Sequence, residues 1–148
     1  PSIINNTTGV DMNPQLLNRN SKLKYLINLF IFSFPTIYSL QRKLSSKKKN
    51  NRLSVHYDFG QPMYSAHGAF LIFTRKFFEL GGEINYPGFL YGEEIYIAEQ
   101  VLQQDRKIRY NPNLVVHDEA SVSISKLNIK TLAEQHKKAT KFFLKNYY

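Results

Sequence analysis

The sequence predicts an α/β fold, a few short strands with helices packed around them. Three observations lead there. Short apolar, β-rich runs occupy residues 66–74, 107–110 and 114–117, lengths that suit strands and not helices. Apolar residues recur at helical spacing in 23–34, 93–104 and 131–145. The chain has 148 residues, 43% of them hydrophobic and 14% aromatic. That is enough to bury one core and not enough for several domains.

In chain order, residues 1–22 read as a loop-rich entry segment with Asn5-Asn6-Thr7-Thr8-Gly9 in a row. Ile3 and Ile4 read as the end of a strand. Leu23, Leu26, Ile27, Phe30, Ile31 and Phe34 then share one helical face, and Pro35 kinks or ends that helix. Tyr38, Leu40 and Leu44 continue the apolar trend among Arg42-Lys43, Lys47-Lys48-Lys49 and Arg52. Leu29 and Phe32 lie off the main face, so the helix is apolar over most of its girth. Residues 23–52 therefore admit two readings. One is a helix packed on its own domain and followed by a solvated basic loop. The other is an amphipathic basic segment lying on an anionic membrane surface, aromatics in the acyl boundary and lysines on lipid phosphates.

Residues 53–64 read as irregular or edge structure ending at Gln61-Pro62, and 66–74 as a strand. Arg75 to Leu80 suit a single helical turn stopped by Gly81-Gly82. Residues 83–92 form a loop containing Pro87, Gly88 and Gly92. Glu93 and Glu94 open a helix to about Gln104, with Ile95, Ala98, Val101 and Leu102 as its buried face. Two strands flank Asn111-Pro112-Asn113. A final helix from Thr131 to Lys145 places Leu132, His136, Ala139 and Phe143 on one face. No internal repeat is visible.

The net charge of +9 is unevenly distributed. Residues 1–57 hold nine Lys/Arg against one acid, Asp11, whereas 58–148 hold eleven against ten. This is the pattern of a balanced globular part with a basic attachment segment. Nucleic-acid surfaces interleave cations with aromatics. Here the aromatics of 25–38 and the cations of 42–52 are separated, so no nucleic-acid partner is expected. The absence of cysteine excludes a disulfide scaffold, a Cys-ligated zinc and a thiol nucleophile. No apolar run reaches 18 residues, so no conventional spanning helix is expected. The chain begins at Pro1, and the expectation is a fragment or a processed product.

Chemistry concentrates in two places. Phe89-Leu90-Tyr91-Gly92-Glu93-Glu94 brings an aromatic, glycine-containing loop directly into two acids. Acids at a helix start are ordinarily accounted for by the helix dipole and free N–H groups. Beside an open aromatic loop, however, a carboxylate can also accept a proton from a hydroxyl nucleophile, and aromatic faces suit sugar rings. The second place is Val115-Val116-His117-Asp118-Glu119, where a histidine ends an apolar strand beside acids. It suits a divalent metal or a phosphate, although a lone histidine is more often structural. His67, inside the apolar run before Gly68, reads as a hydrogen-bonded core histidine. His56 and His136 give no signal. There is no phosphate-binding glycine loop, no HExxH and no Asp-x-Asp.

These residues together resemble a family. Ser65-Ala66-His67-Gly68-Ala69-Phe70-Leu71-Ile72-Phe73-Thr74-Arg75-Lys76 leads to Gly81-Gly82. Phe89-Leu90-Tyr91-Gly92-Glu93-Glu94, Tyr110-Asn111-Pro112 and Val115-Val116-His117 follow. In this order and spacing, over about residues 61–121, they are similar to the C-terminal half of family 2 glycosyltransferases of the GT-A fold. The likeness is to bacterial enzymes that build surface polysaccharides, including rhamnosyltransferase-like ones. The Asn13-Pro14 neighbourhood is similar to the segment such enzymes place after their metal-binding loop.

The resemblance implies an incomplete GT-A domain with a short mixed sheet, whose acceptor-side half is residues 53–148. It implies inverting transfer of a sugar from a nucleotide-sugar donor to the hydroxyl of a glycan or lipid-linked acceptor. The setting would be the cytoplasm, peripheral on the inner face of the cell membrane. Glu94 takes the position of the catalytic base and Glu93 that of the acid before it. Glu94 stands where the family has Asp, and Tyr96 replaces a further family acid. His67, Gly68, Tyr91 and Gly92 fall on the substrate side. His117 falls where some members hold Mg²⁺ or Mn²⁺, whose main ligands are expected outside this chain. The nucleotide pocket and Asp-x-Asp loop of the family have no counterpart here. Little transfer is therefore expected without the missing N-terminal half, whether the chain is a truncated product, one chain of a split enzyme or an inactive remnant. The alternative is a non-catalytic basic module for anionic membrane or nucleic acid.

Overall fold

The computed structural model describes residues 1–49, 57–119 and 127–148. The expected irregular stretch at 53–56 and the basic residue Arg52 lie outside them. The chain divides into two compact units. The first comprises Pro1–Arg19, His56–Pro87 and Gly92–Ser121; the second comprises Asn20–Val55, Gly88–Tyr91 and Val122–Tyr148.

The first unit is mixed α/β. Strand β1 (Ser2–Asn5) pairs in parallel with β4 (Val115–Asp118), Ile3 opposite Val116 and Ile4 opposite His117. Strand β2 (Pro62–Met63) pairs antiparallel with β3 (Ile108–Arg109). The expected single mixed sheet is thus two separate two-stranded ladders. Pro62, lacking an N–H, opens an edge strand, where proline is tolerated. Helices α3 (Arg75–Glu79) and α4 (Glu93–Gln103) complete the unit. Its core holds Ile3, Met63, Ala66, Phe77, Ile97, Ala98 and Tyr110.

The strand expected over 66–74 does not form. Ser65 exchanges backbone hydrogen bonds with Leu16, and the chain then turns at Gly68-Ala69. Burial still alternates beyond the turn: Leu71 and Phe73 are half-buried and Ile72 is exposed. Strand-like alternation alone does not make a strand, because a neighbour must supply the ladder hydrogen bonds. The buried face of α4 is also rotated from expectation. Ile97, Ala98 and Glu99 are buried, while Leu102 is exposed. Glu99 can be buried because Arg19 grips both of its oxygens at 2.8 Å and the Tyr64 hydroxyl donates to it at 2.7 Å.

The second unit is helical. Helix α1 (Lys22–Ser33) starts where Ser21 accepts from the Lys24 N–H at 3.2 Å. Pro35 ends it and opens α2 (Pro35–Lys49), the chain bending by 115°. Proline fits a first helical position because its missing N–H has no partner there anyway. Helix α5 (Ile129–Tyr147) is capped by Asn128, which accepts from the Thr131 N–H at 2.8 Å. The expected Leu132, Ala139 and Phe143 are buried on it, joined by Ala133 and Thr140. Tyr38 of α2 packs on Leu132 and Ala133. Tyr25 of α1 meets Phe143 and Tyr148 at ring centroid distances of 6.0 and 5.2 Å.

Candidate functional site

The first unit brings five of the sequence-predicted residues, His67, Gly68, Gly92, Glu93 and Glu94, together around the start of α4. Gly92 caps this helix with a φ of +113°, a left-handed conformation that glycine adopts without cost. The resemblance put Gly92 on the substrate side; its backbone angle is itself a reason for glycine at this position. The helix places Glu93 and Glu94 in its first turn.

Glu94 folds onto Gly68. A Cβ at position 68 would lie 2.7 Å from Glu94 Oε1 and 3.2 Å from its Cδ and Cγ. The carboxyl therefore occupies space that only glycine leaves free. Gly68, Ala69 and Phe70 are exposed, so the carboxyl sits beneath an open turn. Burial pushes its pKa above the usual glutamate range. The Glu93 charge adds to this, while nearby His67 and the backbone N–H groups of Glu94 and Gly68 oppose it. A carboxylate at a helix N-terminus is ordinarily favoured in its charged form, and here burial outweighs that.

The turn carrying Gly68 is held by polar groups that the sequence does not mark. Asn13, almost wholly buried, accepts from the His67 N–H at 2.7 Å and donates to the Pro1 carbonyl at 2.8 Å. Asp11 in turn accepts from the Asn13 N–H at 2.9 Å. Asp11 also accepts from the Ile3 N–H, the Ser2 hydroxyl and the Tyr110 hydroxyl. Burial raises its pKa, but these hydrogen bonds outweigh burial and hold it below the usual aspartate range. The available signal was the short polar pair Asp11 and Asn13 in a loop, since such side chains commonly bond backbone groups. His67 itself is half-buried, and its Nδ1 accepts the Ala69 N–H at 3.2 Å.

Two predicted residues lie elsewhere. Tyr91 belongs to the helical unit, where its ring stacks on His136 at 3.7 Å and 16°. His117 is exposed on β4, its Nδ1 3.0 Å from Asn6 Oδ1. Among the described residues no group of three or more His, Cys, Asp or Glu converges on a metal position. His117 and its neighbours therefore do not by themselves compose a Mg²⁺ or Mn²⁺ site.

The first unit also contains a groove of about 730 Å³. Phe70, Phe73, Phe77 and Ile97 line it together with Lys76 and Arg106, and Glu94 is not among its lining residues. Comparison of the chain with protein-family models, curated proteins and solved structures finds no match in any of the three.

Proposed function

We propose that this chain carries the acceptor side and catalytic base of an inverting glycosyltransferase, as part of an incomplete GT-A domain. Its substrates would be a nucleotide-sugar donor and the hydroxyl of a glycan or lipid-linked acceptor, in surface polysaccharide synthesis. The observation that carries this reading is Glu94, a partly buried carboxyl with a raised pKa, seated under an open glycine turn. A carboxylate so placed is a stronger base than a solvated glutamate.

In the proposed step Glu94 takes the acceptor hydroxyl proton while the oxygen forms its bond to the anomeric carbon. On the opposite face the bond from that carbon to the diphosphate oxygen breaks, and the diphosphate leaves with the electron pair. Glu93 contributes through its charge, which helps keep the Glu94 pKa high. Gly68 contributes the space in which the carboxyl sits.

Glu94→Gln keeps the shape of the side chain and removes the base. In the complete enzyme it should lower kcat by about 10²–10⁴-fold with little change in donor KM. Glu94→Asp should retain part of the activity, since it keeps the carboxylate. Retention of most activity by the glutamine variant would refute the role. On this chain alone, carbon-13 NMR of the side-chain carboxyls should show Glu94 titrating above ordinary glutamates. A normal titration would remove the supporting observation.

A further inference from the structure

Most of the face that the sequence marks on α1 stays outside; Ile31 on its edge is half-buried against the Tyr38, Leu132 and Ala133 cluster. Leu23, Leu26, Ile27, Phe30 and Phe34 are all exposed, Phe30 to 60%. The first four fall at i, i+3, i+4 and i+7, which is one helical stripe, and Phe34 follows as the extended C-cap residue. The opposite side of the helix supplies the packing: Tyr25 is buried, and Leu29 and Phe32 are half-buried. On α2, Ile37, Leu40 and Leu44 are exposed at i, i+3 and i+7, Leu44 to 61%, while Tyr38 enters the core. The rings of Phe30 and Phe34 meet at 5.2 Å within the stripe. Single exposed apolar residues are ordinary, whereas eight aligned in two stripes mark an interaction surface.

The charges say what covers it. Residues 22–49 carry Lys22, Lys24, Arg42, Lys43, Lys47, Lys48 and Lys49 and no acid. A covering surface must therefore be apolar and anionic at once. A second copy would set cations against cations, and nucleic acid could stack bases on Phe30 and Phe34 but would offer nothing to the six aliphatic side chains. A span needs about 20 apolar residues in one run; α1 is 12 residues long in all, eight of them apolar, and the chain bends by 115° after it. Among the described residues no single helix is long and apolar enough to cross a membrane.

We infer that α1 and α2 form an interfacial anchor on an anionic phospholipid surface. The two stripes enter the acyl boundary, and Lys24, Arg42 and Lys43 pair with headgroup phosphates. This rests on α1 and α2 alone, so it stands or falls independently of sugar transfer.

The test is co-sedimentation of the full chain with vesicles of equimolar phosphatidylcholine and phosphatidylglycerol, and with phosphatidylcholine alone, over a salt series. A single-stranded oligonucleotide runs in parallel, and sedimentation without lipid reports self-association. Binding should favour the anionic vesicles and weaken with salt. The triple variant Leu26→Ser, Phe30→Ser, Leu40→Ser changes only exposed positions and should abolish vesicle binding with its circular dichroism unchanged. Removing two cations by Arg42→Gln and Lys43→Gln should weaken anionic binding about 25-fold, at about fivefold per cation. The charge variant carries the test if the serine variant loses helix. Any of four results would overturn the inference: no vesicle binding, binding indifferent to both variants, tighter binding to the oligonucleotide, or insertion that resists alkaline extraction.

Discussion

Acid should loosen the helical unit through His136. Its imidazole is stacked between Tyr91 at 3.7 Å and Phe32 at 4.8 Å, with Tyr38 edge-on at 5.5 Å. Burial, and then the charge of Arg42, lower its pKa from 6.5 to about 4. The folded chain thus keeps this ring neutral over a range in which the unfolded chain protonates it. The unfolded state binds more protons there, so the contribution is complete above 6.5 and is lost as pH falls to about 4. One pKa unit corresponds to about 1.4 kcal/mol, which makes the whole interval worth about 3 kcal/mol. Partial solvent access, and the attraction of an imidazolium for ring faces, reduce this to about 2 kcal/mol. His136→Phe keeps a stacked ring and removes the proton site. Urea unfolding followed by far-ultraviolet circular dichroism, at neutral pH and near the bottom of this range, compares the two proteins. The wild type should lose about 2 kcal/mol more than the variant on acidification. Equal losses would show that the ring is not held neutral by its surroundings, and the reasoning would fail.

Two further substitutions probe the first unit. Gly68→Ala places a methyl group 2.7 Å from Glu94 Oε1, so the carboxyl must move. Because a flexible side-chain tip absorbs the clash, stability should change by less than about 1 kcal/mol. If Glu94 is the base, transfer by the complete enzyme should drop about 10²-fold; unchanged kinetics would separate the turn from the chemistry. Arg19→Met leaves the Glu99 carboxylate, 2% exposed, with the Tyr64 hydroxyl but without its bidentate partner. Because the arginine side of the pair is 37% exposed, its loss should cost about 1–3 kcal/mol, less than for a fully buried pair, measurable by urea unfolding. Adding Glu99→Gln should recover part of it, and a loss below about 1 kcal/mol would show the pair to be dispensable.

Much of the local structure was legible because it depends on neighbours in sequence. The periodicity of 23–34, 93–104 and 131–145 located α1, α4 and α5 to within about two residues of their ends. The asparagine–proline turn separated β3 from β4, and Gly81-Gly82 followed α3. The adjacency of Glu93 and Glu94 at a helix start was also plain. That Glu94 lies against Gly68, that Asn13 holds the His67 backbone and that Asp11 holds Asn13 were not. Each joins segments between about 10 and 55 residues apart or rests on one short polar side chain, and neither leaves a periodic mark. His136 gave no signal for the same reason: its stacking partners come from α1, α2 and the loop at 88–91.

By itself the sequence determined where helices can form, which residues share a helical face and where the charge is concentrated. Tertiary structure decided which face turns inward. On α1 both sides are apolar, so periodicity defines the stripe without saying whether it is core or surface. The α1 stripe stays exposed because Tyr25, Leu29 and Phe32 supply that helix's packing instead. The run at 66–74 shows the same limit: its alternation is written in the residues, but a strand exists only where another strand completes its hydrogen bonds.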